Sequence, residues 1–370
     1  GKLRPLFEFP PDRPLTWRRT ARCPETGHLY RFMRDLLELA RFDHICGGLQ
    51  RFTEEMLVAW VKRCMAHTGI RRLALSGGIF MNVKANKLIG ELPEVEALFI
   101  LPSCGDESNA FGAAYAAYAE AQPPASRAER LAPLGDLYLG PGFGDEEIGR
   151  VLAEPGLRAG CTVERCEDIE ERVAELLAAG AVVARFRGRA EFGARALGNR
   201  SLLADPGRPG VVREINELIK SRDFWMPFAP ALCADDAATY LVNPRGWRSP
   251  YMMLTFDTTP AGRELLGAIH PYDHTARAQT VDRAWNPDYY RLIKRFGHAT
   301  GRAAVLNTSF NLHGHPIVHT PQDACDVLAK SGLQHLAIGS FLVSKRTAGR
   351  TPASRTAEPA AMSQEVGKPA

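Results

Sequence analysis

The sequence predicts an α/β protein, and three stretches predict it. Leu73–Ser76 (LALS) is a short apolar run that breaks at Gly77-Gly78. Ala97–Leu101 (ALFIL) is a second such run, followed by the polar loop Pro102–Asn109 and a helix of small residues, Ala110–Ala119. Two successive strand–loop–helix units describe a sheet covered by helices, with polar loops at the carboxyl ends of its strands. The third stretch is Ala181–Arg189, where Arg185, Arg187 and Arg189 alternate with Phe186 and Gly188. Strand periodicity places those three guanidinium groups on one face.

Length and composition bound what this fold can do. At 370 residues the chain has room for two cores. A net charge of +4 does not demand nucleic acid, and an excess carried by arginine favours small anionic ligands. The eight cysteines are dispersed, and the nearest pair, Cys161 and Cys166, fits no zinc or redox spacing. Reduced thiols in a cytoplasmic protein are the expectation. No apolar run approaches the ~20 residues that span a bilayer, and no signal peptide is visible. A first residue of Gly rather than Met suggests a processed, cloned or truncated product.

Residues 1–40 begin rich in proline and arginine and become helical in pattern near Leu29–Leu39. In Gln50–Ala66 the apolar positions Phe52, Met56, Leu57, Trp60 and Val61 recur at helical spacing, which predicts a core helix. The turn Gly77-Gly78 through Asn82 is of the kind that brings backbone N–H groups to a phosphate, although many tight turns share it. Asp106 reads equally as a helix cap or a ligand.

Residues 122–134 contain prolines, a serine and charges between apolar segments, and are expected to link a first unit, 1–121, to a second, 135–346. Helices are expected in the second unit at Asp145–Ala153, Ile169–Ala179, Val211–Lys220 and Pro321–Lys330, the last capped by Thr320. Prolines force Trp225–Pro230 into an extended segment, and Ala303–Leu306 is a strand. The composition of 347–370 predicts a disordered tail.

Candidate chemistry concentrates in Val183–Asp205, which holds Arg185, Arg187, Arg189, Arg195 and Arg200, with Gly193, Gly198 and Ser201 among them. Guanidinium forks, glycine turns and a hydroxyl donor suit a phosphate-rich ligand, the alternative being a solvated basic face. Asn307, Thr308, Ser309 and Asn311 crowd short donors and acceptors into five residues. That cluster suits a nucleotide or an amide, or a turn that closes a strand.

Seven stretches occur in order: SGGIFMN, PSCGDESNAFGAA, GRAEFGARALGNRSLLADP, NELIKSRDFWMPFAP, SPYM, HPYDHTARAQTVD and LNTSFNLHGHPIVHTPQDA. Together, over residues ~45–345, they resemble the O-carbamoyltransferases acting on nodulation factors, cephamycin-type antibiotics and aminoglycosides. The resemblance implies a partial actin-like (ASKHA) lobe of threonylcarbamoyltransferase type, followed by an open twisted α/β sheet of YrdC-like type. It implies that carbamoyl phosphate and ATP form a carbamoyl-adenylate in the second unit, and that the carbamoyl group passes to the hydroxyl of a small-molecule acceptor. Arg195, Arg200 and Lys220 are the implied catalytic cations. Arg189, Ser201, Arg222, Asn307, Ser309 and Asn311 are implied to bind the substrates, with Gly77, Gly78 and Asn82 as a nucleotide loop. ATP would arrive with Mg²⁺, and Asp106 would be a ligand of Fe²⁺.

Three departures matter. The two histidines a helical turn apart that complete the family's metal site are absent before the linker. His270 with His274 and His315 with His319 have that spacing, but Pro271 and Pro316 argue against helices that would aim the rings together. Met226 stands where many relatives have arginine. The competing readings are a threonylcarbamoylation enzyme of tRNA, which calls for a more basic surface, and a non-catalytic nucleotide-binding scaffold. A hydrogenase-maturation enzyme would bring an acylphosphatase domain and zinc-finger cysteine pairs, and neither is seen.

Overall fold

The computed structural model describes residues 2–13, 15–126, 131–223 and 226–346. The expected tail 347–370, part of the expected linker and Trp225 of the proline-rich stretch lie outside the described residues.

The first part opens with a two-stranded ribbon, β1 (Phe7–Glu8) and β2 (Arg18–Arg19), and a helix at Thr26–Leu37. The long helix Phe42–Thr68 buries Leu57, Val61 and Met65. It ends at Gly69, whose φ of 72° closes the last turn in the left-handed region that favours glycine. The two predicted apolar runs form β3 (Arg72–Leu75) and β4 (Ala97–Ile100), which pair in parallel with Leu75 opposite Ile100. Asn82 caps the crossover helix Val83–Gly90 by accepting from the Ala85 N–H. The small-residue helix follows at Asn109–Glu120.

The second part is built on one mixed sheet. Its strands are β5 (Cys161–Arg165), β6 (Val183–Phe186), β7 (Arg200–Ala204), β8 (Ala229–Cys233), β11 (Gln279–Val281), β12 (Ala304–Ser309), β13 (His335–Ile338) and β14 (Phe341–Lys345). A short side pair, β9 (Leu241–Val242) and β10 (Asp257–Thr258), stands apart. The order across the sheet is β11-β8-β12-β7-β6-β13-β14-β5. β11–β8 and β13–β6 are parallel, and the other neighbours are antiparallel.

Helices cover both faces. Asp145–Leu152, Val211–Ile215 and Pro321–Lys330 pack their buried side chains with Phe186, Leu202 and Leu306 on one side. Ile169–Ala178 and Pro287–Thr300 pack with Val183, Leu203 and Val305 on the other. Alternate residues of each strand thus enter opposite cores, as the pleat requires.

A further buried cluster joins the two parts, because Phe80, Ile89 and Val95 pack with Leu232, Leu254 and Ile269. Lys87 reinforces that contact through Asp257 at 2.9 Å, and the Trp247 indole donates to the Gly90 carbonyl at 3.2 Å.

Two expectations about the arginine stretch need correction. The strand ends at Phe186 rather than Arg189, because the chain turns at Gly188 with φ 58°. Arg185 and Arg187 still reach one carboxylate oxygen, Glu170 Oε1, at 3.0 and 3.3 Å, while Arg189 departs from them. Arg185 points inward and pairs with Glu170 at 3.0 Å, both side chains being 1% exposed. Arg187 pairs with Asp288 at 3.2 Å. Arg189 donates to the carbonyls of Leu139 and Gly140 at 2.7 and 2.9 Å. The predicted helix Val211–Lys220 divides at Ile215, and Asn216–Lys220 forms a π-helical turn that ends at Ser221 with φ 44°. Such a turn re-aims its last side chain, here Lys220.

Candidate active site

Sheet register brings three chain segments to one end. Ser309 at the end of β12 lies opposite Ser201 near the start of β7, and Asn307 lies opposite Ala229 at the start of β8. The loops entering and leaving those strands carry the polar groups.

Lys220 is 1% exposed. Its Nζ donates to Ser309 Oγ at 3.1 Å, Asn311 Oδ1 at 2.6 Å and the Asn311 carbonyl at 3.2 Å. Ser309 Oγ and Asn311 Oδ1 are themselves 2.7 Å apart. Burial, and then the charge of Arg222, push the Lys220 amine down to about 7.

Arg195, Arg222 and Arg277 line a cleft of about 470 Å³ together with Lys84, His270 and Phe228. Among the described residues none of these three arginines has a carboxylate within 4.0 Å. Burial and then Arg195 and Arg222 lower Arg277 to about 9, and burial and then Arg222 lower Arg195. A guanidinium stays charged at these values. Partial burial close to other cations therefore leaves fixed positive charge with no anion among the described residues, an arrangement that a bound polyanion would relieve. Arg222 also lies over the Phe228 ring, 5.6 Å from its centroid.

Contacts with Glu191 and with the first part of the chain hold the arginine loop. Glu191 Oε1 accepts from the backbone N–H groups of Leu197, Asn199 and Arg200 at 2.7, 3.3 and 3.2 Å. Phe192 stacks on Phe111 from the first part with centroids 4.7 Å apart. Gly193 has φ 111°, and a Cβ there would lie 3.1 Å from Ser103 Cβ, so the two loops pack closely.

The structure separates the residues expected from the sequence. It brings Lys220, Ser309 and Asn311 together by hydrogen bonds, with Arg222 close enough to lower the Lys220 pKa, and Arg222 lines the cleft with Arg195. Arg200 turns away from it. Its guanidinium lies 3.6 Å from the Phe186 ring centroid and donates to the carbonyls of Arg187, Gly188 and Asn199, because β7 points that side chain into the protein. Ser201 is fully buried and accepts from the Gly198 N–H at 3.0 Å. Asn307 donates to the Ala196 carbonyl and Gln279 Oε1 at 2.9 and 3.0 Å, which holds the arginine loop on the sheet. Arg189, as above, is occupied by carbonyls.

In the first part, Gly77 has φ 110° and donates to the Cys104 carbonyl, and Gly78 starts a 3₁₀ turn. The Asn82 side chain is taken by its cap and by Gln50. Asp106 is exposed at the start of another 3₁₀ turn. The one group of side chains among the described residues close enough to share an ion is Cys233, Asp235 and Asp236. Its carboxylates are engaged by Tyr290 and Lys294. Asp106 alone does not fit an iron ion, since a single carboxylate leaves most of the coordination sphere open. The cleft lining likewise offers no carboxylate to Mg²⁺.

Arg277, Lys84, His270 and Glu191 were not singled out from the sequence as site residues. For Arg277 and His270 the signal was the stretch HPYDHTARAQ. Its two histidines lie on a turn, as Pro271 suggested, with Asp273 and Thr275 between and beside them.

Comparison with known proteins gives the following. The family model for the carbamoyltransferase N-terminus matches residues 27–115, and that for the carbamoyltransferase C-terminus matches residues 174–345. Nodulation protein NolNO of Sinorhizobium fredii is 37% identical over 316 residues, 85% of this chain and 45% of that protein. Nodulation protein NolO of Bradyrhizobium diazoefficiens is 37% identical over 306 residues, 82% of this chain and 55% of that one. Nodulation protein U of Rhizobium tropici is 31% identical over 288 residues, 77% and 46% of the two chains. The chain thus spans about half the length of the curated relatives it matches. A solved structure of full-length HypF in its phosphate- and nucleotide-bound form aligns over 69% of this chain and 36% of that one, at TM-score 0.34 and 14% identity, too loosely to argue from.

Proposed function

The chain belongs to the carbamoyltransferase family, and from that premise we propose that it forms carbamoyl-adenylate from carbamoyl phosphate and ATP for transfer to a hydroxyl of a small-molecule acceptor. The observation that carries this reading is the cleft itself. Arg195, Arg222 and Arg277 converge with no anionic partner among the described residues, Arg222 lying near the Lys220–Ser309–Asn311 cluster.

Adenylation draws two polyanions together, and their mutual repulsion is the first barrier. Fixed guanidinium groups offset it without reorganising during the reaction. Lys220 would place its ammonium on the phosphate oxygens where charge develops as pyrophosphate leaves. Ser309 and Asn311 hold that ammonium in place and offer a hydroxyl and an amide to the carbamoyl group or the nucleotide. Mg²⁺ would enter on the ATP phosphates rather than on a protein carboxylate, supplying charge neutralisation there. The adenylate converts an inert carbamoyl group into one with AMP as leaving group, and enclosure by the loops around Ser103 and Gly193 would limit its hydrolysis.

The finer fold reading, an actin-like lobe followed by a YrdC-like sheet, belongs to the same proposal and is supported by the parallel β3–β4 unit and the mixed sheet. The names of the nodulation-protein relatives support an acceptor from nodulation biosynthesis. ATP–pyrophosphate exchange that depends on carbamoyl phosphate is the expected result. Its absence under every metal condition would leave the scaffold reading instead.

A further inference from the structure

Of the residues lining the arginine cleft, two come from the first part of the chain. They are Val83 and Lys84, in the opening turn of the helix Val83–Gly90. Asn82 Oδ1 takes the Ala85 N–H, and the N–H groups of Val83 and Lys84 donate to no acceptor among the described residues. A helix start with free N–H groups favours an anion and disfavours a cation. Lys84 is nevertheless a cation at that place, and it shares the cleft with three arginines. Its ammonium is held by Asp273 Oδ2, on the turn that leads to Arg277. That turn is firmly closed. Asp273 Oδ1 accepts from the Thr275 N–H and Oγ1 at 3.1 and 2.8 Å, and the His270 N–H donates to the Thr275 carbonyl at 2.8 Å. Burial, and then the Lys84 charge, lower the His270 pKa, so that ring is neutral at pH 7 and leaves Asp273 to Lys84.

We propose that Lys84, aimed by Asp273, binds the same polyanion as Arg195, Arg222 and Arg277, and so ties the first part of the chain to the occupied cleft. An ammonium has three donors. One serves Asp273, and the others join the free N–H groups of Val83 and Lys84 on the first part's side of the cleft. The remaining contacts between the parts do not involve the cleft. Phe80, Ile89 and Val95 pack with Leu232, Leu254 and Ile269, and Lys87 pairs with Asp257. Those contacts are the same whether the cleft is empty or filled. Lys84 differs, because a polyanion held by the arginines of the second part gives it a new partner across the joint. Filling the cleft therefore tightens the joint, and the joint in turn strengthens binding by the same factor.

The inference rests on the reading of the cleft as a polyanion site, and pyrophosphate is the probe. Calorimetry gives its Kd, and hydrogen exchange follows the helix Val83–Gly90 with and without it. In the wild type, pyrophosphate should slow exchange in that helix. Lys84→Met should raise the Kd by about tenfold or more, the scale of a hydrogen bond from a charged group, and should abolish the added protection. Lys84→Arg, which keeps the charge, should restore most of both. Asp273→Asn separates binding from mere support. Asn keeps Oδ1 for Thr275 and removes the carboxylate that competes for the ammonium, so pyrophosphate should bind at least as tightly as in the wild type. A Kd unchanged in Lys84→Met overturns the inference. So does a Kd raised as far in Asp273→Asn as in Lys84→Met, which would mark an ion pair that serves the fold alone. Where Lys84→Met does not fold, weakened binding in Asp273→Asn is sufficient to overturn it, and retained binding with retained protection of the helix supports it. Binding that depends on Lys84 in a protein without ATP–pyrophosphate exchange would sink the adenylation reading and leave this inference standing. A wild-type protein that binds no pyrophosphate overturns both.

Discussion

Lys220 Nζ stands 2.6 Å from Asn311 Oδ1, across 91 residues of chain. The contact joins the end of a π-helical turn to the loop that leaves the central strand β12. It fixes a buried ammonium that has no carboxylate partner among the described residues. Neutral acceptors hold its position without cancelling its charge, which remains available to a ligand. Asn311→Ala removes one of the two side-chain acceptors. Binding of ATP should weaken by about 10- to 100-fold, the cost of about 1–3 kcal/mol for an ammonium left underbonded. Isothermal titration calorimetry checks this, and unchanged affinity would take Asn311 out of the site.

The same ammonium sets a pH dependence. Burial puts the amine at about 7 in the free protein. A bound polyanion favours the charged form and raises that value. Affinity is therefore greatest below pH 7 and declines as pH rises through 7, and binding near neutrality takes up protons. Calorimetry at pH 7.5 in buffers of different ionisation enthalpy should reveal uptake of a fraction of one proton, and Lys220→Met should abolish it. Proton release on binding would contradict this account.

Repulsion among the cleft arginines predicts a trade of stability against function. Arg277→Met removes a half-buried charge that has no counter-ion among the described residues while keeping most of the volume, so the ligand-free protein should gain up to about 1 kcal/mol. The variant should also lose most of the stabilisation that pyrophosphate gives the wild type, which is about 2.7 kcal/mol at a hundred times its Kd. Thermal melts with and without pyrophosphate test both halves. Arg195→Ala should abolish exchange and leave the fold intact. Destabilised ligand-free variants would mean that the arginines are satisfied by the protein.

Much of the architecture was legible because local patterns agree with the tertiary outcome. The strands β3 and β4 and the helix capped by Thr320 follow from apolar runs and a cap residue that act over a few positions, whereas the caps Asn82 and Asp168 were not read as such. The strands at the far side of the sheet, β5, β13 and β14, and the helix Pro287–Thr300 were not singled out. Their pairings are long-range, so short segments carry little local signal. The site divides in the same way. Lys220, Ser309 and Asn311 were chosen for their chemistry and meet through hydrogen bonds, with Arg222 near Lys220. Arg200 has the same side-chain chemistry, yet the strand register that points it toward Phe186 and a set of carbonyls depends on where β6 ends and β7 begins. Arg277 was passed over because its fellow cations lie far away in sequence and meet it only in the folded chain.

The buried pair Glu170–Arg185 supports the site from behind. Its 3.0 Å contact is 1% exposed on both sides, and Arg185 Nη1 reaches on to the Gly198 carbonyl and Asn199 Oδ1 at 2.7 and 3.1 Å. Charge removal at Glu170 therefore affects two levels. Glu170→Gln leaves the guanidinium buried without its anion, which should cost about 3–5 kcal/mol in urea denaturation. Replacing both partners, in Glu170→Gln with Arg185→Met, should cost less than the sum of the single changes, because no orphaned charge remains. Activity should behave differently. The double variant recovers stability but loses the grip of Arg185 on the turn at Gly198 and Asn199, which precedes β7 and shares the loop of Arg195. Exchange should stay depressed in the double variant although its fold is restored. Recovery of exchange along with stability would show that the pair serves the fold alone and does not position the cleft.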